Sequence, residues 1–173
     1  MSCLSEKIMK HLKFTGTYIH PPLPNRIHNI NILEFPPCKR TITFNGRKIF
    51  TEFSFYQIFI IMSINNSLNN FYLFGTNNPL SSKEDDLYPI DYPHVNTNGS
   101  ICQRNIPDGY GSDLPIKNKI QKALNEFWLG NNTYYIGDRS KNFVKPKIIS
   151  NNCKIKLNYF VYKELYESII NIK

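Results

Sequence analysis

The stretch Tyr92–Cys102, Tyr-Pro-His-Val-Asn-Thr-Asn-Gly-Ser-Ile-Cys, holds the chain's strongest candidate for covalent chemistry. It sets Cys102 behind an aromatic-Pro-His turn and an Asn98-Gly99 corner, on a segment too polar to be a core strand. A nucleophilic cysteine needs a thiolate population, access to its partner and donors for the charge that develops on the attacked carbonyl oxygen. Cys102 therefore reads as a nucleophile presented at a surface groove. The competing reading is a buried thiol, since free cysteine is among the most buried residue types. His94 lies close in sequence to this thiol, but nothing downstream supplies the group that would orient it as the base of a cysteine protease. Asn96 and Asn98 are turn formers first, and Asn98-Gly99 makes the corner. Tyr92 is read as a packing residue anchoring the turn, because its phenol stays protonated near neutral pH. Asp108 and Asp113, in the Gly- and Pro-containing loop that follows, are candidates to orient or deprotonate an incoming amine.

The elements around this segment follow from periodicity and turn chemistry. Ile8, Met9 and Leu12 share one side of a short helical pattern over Ser5–Leu12, with Ser5 as N-cap. Pro21-Pro22, Pro24 and Pro36-Pro37 exclude helix between Tyr18 and Pro37 and leave Ile27–Phe35 as an edge strand or a loop. Thr41–Phe44, Asn45-Gly46 and Arg47–Phe50 have the composition of a two-residue β-hairpin, whose central residues need positive φ. Phe53–Ile64 is rich in aromatic and β-branched residues and predicts a long strand. Phe71–Phe74 predicts another after a polar Asn65–Asn70 connection. Together these make an antiparallel meander of about four strands. Thr76–Asp91 reads as an irregular, partly acidic connection. Ile116, Ile120, Ala123, Leu124 and Phe127 fall on one face of a helix over Pro115–Leu129, with Pro115 in the first turn and Gly130 ending it. Trp128 is read as core or partner surface. A further helix is expected over Tyr159–Ile170.

Sheet first and helices after is an α+β pattern. The chain has 173 residues, enough for one domain that buries about two-thirds of its unfolded surface. That domain divides into an N-terminal helix and Pro-rich segment (1–40), a β-meander (41–75), an active-site loop region (76–114) and a C-terminal helical region (115–173). Four cysteines, Cys3, Cys38, Cys102 and Cys153, are widely spaced and form no zinc-ligand pattern. Glu6, Lys7, Lys10 and Lys13 interrupt the place where a signal peptide needs a continuous apolar region. A cytoplasmic protein with reduced thiols is the expectation. The longest apolar run, Ile58–Ile64, is too short to span a membrane. The formal net charge of +8 favours acidic partners, either protein or nucleic acid. The basic residues are scattered, with Lys39-Arg40, Arg47-Lys48 and Lys145-Pro146-Lys147 the nearest to clusters, so a nucleic-acid partner is not the favoured one.

The Cys102 segment resembles the active-site motif of ubiquitin-conjugating enzymes, in which a His-Pro-Asn turn is followed by Asn-Gly-x-Ile/Val-Cys. Pro93, Val95, Asn96, Asn98, Gly99, Ile101 and Cys102 match that pattern at the same spacing. Tyr92 stands in the place of the family's His and His94 in the place of its Asn, and Gln103–Asp108 do not follow the common eukaryotic continuation. The chain is more similar to the bacterial ubiquitin-conjugating-like group, the protein B components of PRTRC plasmid systems among them, through Leu87-Tyr88, Tyr92–Cys102, and Phe127-Trp128 followed by Tyr134-Tyr135. The resemblance implies a fold of the ubiquitin-conjugating type and a thioester on Cys102. It implies a ThiF-like activating enzyme, a ubiquitin-like protein and a target protein as partners, and neither cofactor nor metal. It also implies that His94 takes the oxyanion-stabilising role of the family's Asn, the alternative being a turn residue satisfied by the backbone. A binding or scaffold module that keeps the fold without the activity is the second expectation. A nucleic-acid-binding accessory protein is the third, with an affinity that falls steeply with salt.

Overall fold

A strand whose side chains are apolar on both faces has to lie inside a sheet covered on both sides, and Tyr56–Ile64 is such a segment. All seven residues Gln57–Ser63 are buried. The computed structural model describes residues 12–19, 27–44, 46–64, 66–102, 114–129, 145–149 and 154–157. In chain order these form β1 (Leu12–Ile19), β2 (Ile27–Phe35), β3 (Cys38–Phe44), β4 (Arg47–Phe53), β5 (Tyr56–Ile64), β6 (Ser67–Thr76), β7 (Asp86–Asp91), α1 (Ile116–Leu129), β8 (Lys147–Ile148) and β9 (Ile155–Lys156). The main sheet is antiparallel in the order β1-β2-β5-β6-β7-β8, with β9 also pairing β7, and β3 and β4 form a separate two-stranded sheet. The α+β class expected from the sequence is what the described residues adopt.

The period-2 alternation of β5 divides the interior in two. Phe59 and Ile61 face one cluster with Leu33, Phe71, Leu73 and the buried side of α1. Ile58, Ile60 and Met62 face a second with Ile30, Ile32 and Phe74, closed by Leu80, Leu87 and Leu157. The α1 residues Ile120, Ala123, Leu124 and Phe127 are buried as their spacing requires, and Trp128 is buried with them, which makes it core. Its indole meets the rings of Phe53, Phe59 and Tyr92 at centroid distances of 5.5, 5.5 and 5.8 Å.

The β3–β4 hairpin forms where Asn45-Gly46 predicts it, with Phe44 opposite Arg47 and Gly46 at φ +72°. Its inner face is fastened to the main sheet through Gln57, a fully buried polar side chain whose amide donates to the Phe55 and Pro36 carbonyls at 2.8 and 3.2 Å. The Gln57 Oε1 accepts from Arg40 Nε at 3.4 Å. The Arg40 guanidinium lies over both the Phe35 and Trp128 rings, 5.0 and 4.7 Å from their centroids. This contact joins hairpin, sheet and helix by cation–π attraction.

The structure corrects several expectations. Ile27–Phe35 is neither a loop nor an edge strand, because β1 pairs one side of it and β5 the other. The prolines lie outside the strand and leave its ladder intact. The long strand expected over Phe53–Ile64 breaks at Ser54-Phe55, so that Phe53 ends β4 and Tyr56 begins β5. The Asn65–Asn70 connection shrinks to a tight turn: Ile64 pairs with Ser67, and Asn66 adopts φ +63°, a conformation asparagine tolerates. The supposedly irregular Thr76–Asp91 ends in β7, which buries Leu87, Pro89 and Ile90. The meander thus extends beyond residues 41–75 in both directions. Leu12 opens β1; the rest of the Ser5–Leu12 helix, Gly130 and the Tyr159–Ile170 helix lie outside the described residues. No described helix is long and apolar enough to cross a membrane.

Truncating Trp128 removes the ring on which these three units converge. Trp128→Ala is expected to cost about 3–5 kcal/mol of stability in urea unfolding, as buried aromatic truncations do; a loss under about 1 kcal/mol would contradict the packing.

Candidate functional site

The candidate site begins where β7 ends. Tyr92 and Pro93 are buried, and Tyr92 packs against Phe53 and Phe127 at 5.7 and 5.5 Å. Burial holds its hydroxyl protonated far above the ordinary tyrosine range. The chain then turns: the Val95 amide donates to the Tyr92 carbonyl at 3.2 Å, and His94 takes φ +63°. Histidine is one of the few side chains enriched in that region. Val95 and Ile101 face each other across an antiparallel bridge, and the Asn96 amide donates to the Ser100 carbonyl at 2.9 Å.

The tip of this small hairpin is the turn Asn96–Gly99, closed by the Gly99 amide on the Asn96 carbonyl at 2.9 Å. Gly99 has φ +81°, and a Cβ there would overlap the Phe74 ring. Glycine is therefore required twice, for backbone conformation and for the close approach of the chain to the tip of the Phe74 ring. Side chains lock the same turn. The Asn98 Oδ1 accepts from the Ser100 amide at 3.0 Å and from its hydroxyl at 2.7 Å, while Asn96 Nδ2 donates to Ser100 Oγ at 2.8 Å.

Beyond the turn the chain docks onto the sheet. The Leu73 amide donates to the Gly99 carbonyl at 2.8 Å and the Ile101 amide to the Phe71 carbonyl at 2.9 Å, with Ser100 opposite Tyr72. Ile101 is buried in the helix-side core. Cys102 follows directly, half-buried, its amide donating to the His94 carbonyl at 2.9 Å. It sits at an open groove of about 400 Å³ lined by Asn70, Phe71, Tyr72, Asn96, Ser100 and Ile101. Among the described residues its lining carries no charge, and its apolar walls alternate with amide and hydroxyl groups.

His94 is 5% exposed, and burial pulls its imidazole below the ordinary histidine pKa. Near neutral pH it is therefore uncharged and carries one ring N–H. Its Nε2 has no hydrogen-bond partner among the described residues. Its backbone does have a partner, in the Cys102 amide. The structure thus brings Tyr92, Pro93, His94, Asn96, Asn98, Gly99, Ile101 and Cys102 into one unit. Asp108 and Asp113 lie outside the described residues. The sequence did not point to Asn70 and Tyr72 as groove residues, since they sit on a strand distant in sequence and carry no local signal. Ser100 could have been found, as a hydroxyl within reach of two turn asparagines. Among the described residues Cys38 and Cys102 are free thiols, and no cluster of side chains is fit to hold a metal.

Two measurements check this geometry. Gly99→Ala is expected to lower stability by about 1–3 kcal/mol, since it adds left-handed strain to a clash with Phe74; a neutral effect in urea unfolding would contradict the close approach. For His94, the folded pKa lies below the unfolded value of about 6.5, so the unfolded state binds the proton more readily. The wild-type protein should lose stability as pH falls through about 6.5 towards the folded pKa, and His94→Asn should lose less over the same window. Equal pH slopes in the two proteins would show that the imidazole is not held neutral.

Comparison with known proteins adds no relative: no family model, no curated protein and no solved structure matches this chain.

Proposed function

We propose that the protein is a ubiquitin-conjugating-like transferase. It accepts a ubiquitin-like protein on Cys102 from a ThiF-like activating enzyme and passes it to an amine of a target protein. The observation that carries this reading is the half-buried Cys102 thiol, held at an open groove by an Asn-Gly turn docked on the sheet. An antiparallel sheet leading into a cysteine loop, followed by a helix, is also the order that the motif's resemblance calls for.

In the first step the Cys102 thiolate attacks the carbonyl carbon of the thioester between the modifier's C-terminus and the activating enzyme. A new S–C bond forms on Cys102, the old one breaks, and the activating enzyme leaves as a thiolate. In the second step the target amine attacks the same carbon, an N–C bond forms, the Cys102 S–C bond breaks, and the amine's proton passes to base or solvent. Asp108 and Asp113 are assigned the orienting of that amine. Tyr92 and Pro93 anchor the turn, Ile101 plugs the segment into the core, and Asn96, Asn98 and Gly99 fix the shape of the hairpin. The uncharged His94 imidazole supplies a single N–H for the oxyanion. The protein itself needs no cofactor or metal, and its +8 charge speeds encounter with acidic partners. The depth of His94 favours a second reading, a scaffold that binds the modifier without transferring it.

The reading is tested by incubating the protein with a cognate ThiF-like activating enzyme, a ubiquitin-like protein and ATP. A thiol-sensitive adduct is expected with the wild type, none with Cys102→Ala, and a thiol-resistant ester with Cys102→Ser. Loss of the adduct in the wild type, or its persistence in Cys102→Ala, sinks the proposal. An adduct that never discharges to an amine selects the scaffold.

A further inference from the structure

The β3–β4 hairpin has an inner face that packs against α1 and the sheet, and an outer face that is engaged, among the described residues, at its turn end, where the Thr43 hydroxyl donates to the Leu129 carbonyl at 3.1 Å. By strand alternation Lys39 and Thr41 on β3 and Lys48, Phe50 and Glu52 on β4 point outward, and all of them are exposed. Phe50 is 71% exposed, the most open large hydrophobic side chain among the described residues. Its cross-strand neighbour is Thr41, too small to cover a phenyl ring, and its neighbours along the strand are Lys48 and Glu52. Arg47 adds a further exposed cation at the turn.

Among the described residues these side chains are also unengaged. Lys39 and Glu52 stand directly opposite each other, the arrangement in which opposite charges pair across strands, yet no ion pair joins them among the described residues. The Phe50 ring makes no aromatic or cation–π contact there either, although Arg40, on the inner face of the same hairpin, lies over two rings. An exposed aromatic ringed by unpaired charges on a short, edge-rich sheet has the composition of an interface centre, where aromatics are enriched and charges form the rim.

We propose that this outer hairpin face is a docking surface for an acidic protein surface with an apolar recess. Phe50 fills the recess, Lys39, Arg47 and Lys48 meet carboxylates, and Glu52 meets a cation at the rim. The charge pattern chooses this occupant. The Glu52 carboxylate at the rim repels a phosphate backbone, and one ring gives no platform for stacking successive bases, so nucleic acid fits less well. A second copy of the chain would bring the same cationic excess against itself. The surface does not involve Cys102 and stands whether or not that thiol carries a thioester.

The test titrates isotope-labelled full-length protein with a short synthetic peptide of alternating Glu and Leu, followed by amide chemical shifts. A Lys-for-Glu peptide and an oligothymidylate serve as controls. Shift changes should concentrate in β3 and β4 for the acidic peptide alone and weaken with salt. Affinity should fall about tenfold with Phe50→Ala, the loss expected of a central aromatic contact, and Lys39→Glu with Lys48→Glu should weaken it as well. Because Phe50 is exposed, Phe50→Ala should melt like the wild type, and Cys102→Ala should bind like it. Absent binding of the acidic peptide, an affinity indifferent to Phe50→Ala, or oligothymidylate preferred at this face would each overturn the proposal.

Discussion

Two backbone hydrogen bonds, Leu73 N–H to the Gly99 carbonyl and Ile101 N–H to the Phe71 carbonyl, decide what Cys102 can be. Without them the segment after the Asn-Gly turn would be a polar surface loop, and its thiol would have no fixed neighbours. With them the segment becomes a fragment of strand on β6, and the thiol emerges at a defined point beside Asn70 and Tyr72. Each such bond contributes only about 0.5–1.5 kcal/mol net. The docking therefore also depends on Ile101 reaching the core and on Gly99 lying close against Phe74. Gly99 and Ile101, the segment residues that make these bonds, therefore also aim the cysteine.

The rest of the fold serves that docking. β6 can receive the segment because β5 holds it from the other side, and β5 is fixed by burial on both of its faces. Tyr92 enters the site from the aromatic cluster formed with Phe53, Phe127 and Trp128, so the start of the cysteine hairpin is pinned to α1. Lys119 anchors the helix in turn, reaching the Asn66 carbonyl at 2.7 Å. A chain of contacts thus runs from the β5–β6 turn through α1 to the residue just before the His94 turn. Surface charge plays a smaller part. The Asp86–Lys154 pair at 2.7 Å holds β9 to β7, but as an exposed pair it adds little.

Sequence reasoning read the parts of this protein that depend on local chemistry. The β3–β4 hairpin was visible in Asn45-Gly46, α1 in its apolar spacing, and the Gly99 corner in its Asn-Gly dipeptide. It failed where tertiary pairing overrides local preference. Ile27–Phe35 looks like an edge because prolines surround it, yet β1 and β5 flank it on both sides. Ser67–Asn70 looks like a connection because it is polar, yet the ladder with β5 makes strand of it. Asp86–Asp91 looks irregular because it contains Pro89, whose missing amide is harmless where only its carbonyl is used, by Ile149. At the site, the turn residues were legible because Asn and Gly have restricted backbone roles. The groove walls were not, because Asn70 and Tyr72 reach it only through sheet register.

Cys102 has a defined site only if its segment is part of the sheet, and amide hydrogen exchange measures that directly. The amides of Ile101 and Cys102 should exchange as slowly as those in the centre of β6, since each has a backbone acceptor in the folded protein. Exchange of Ile101 and Cys102 at the rate of an open loop, with β6 still protected, would contradict this and leave Cys102 without a site.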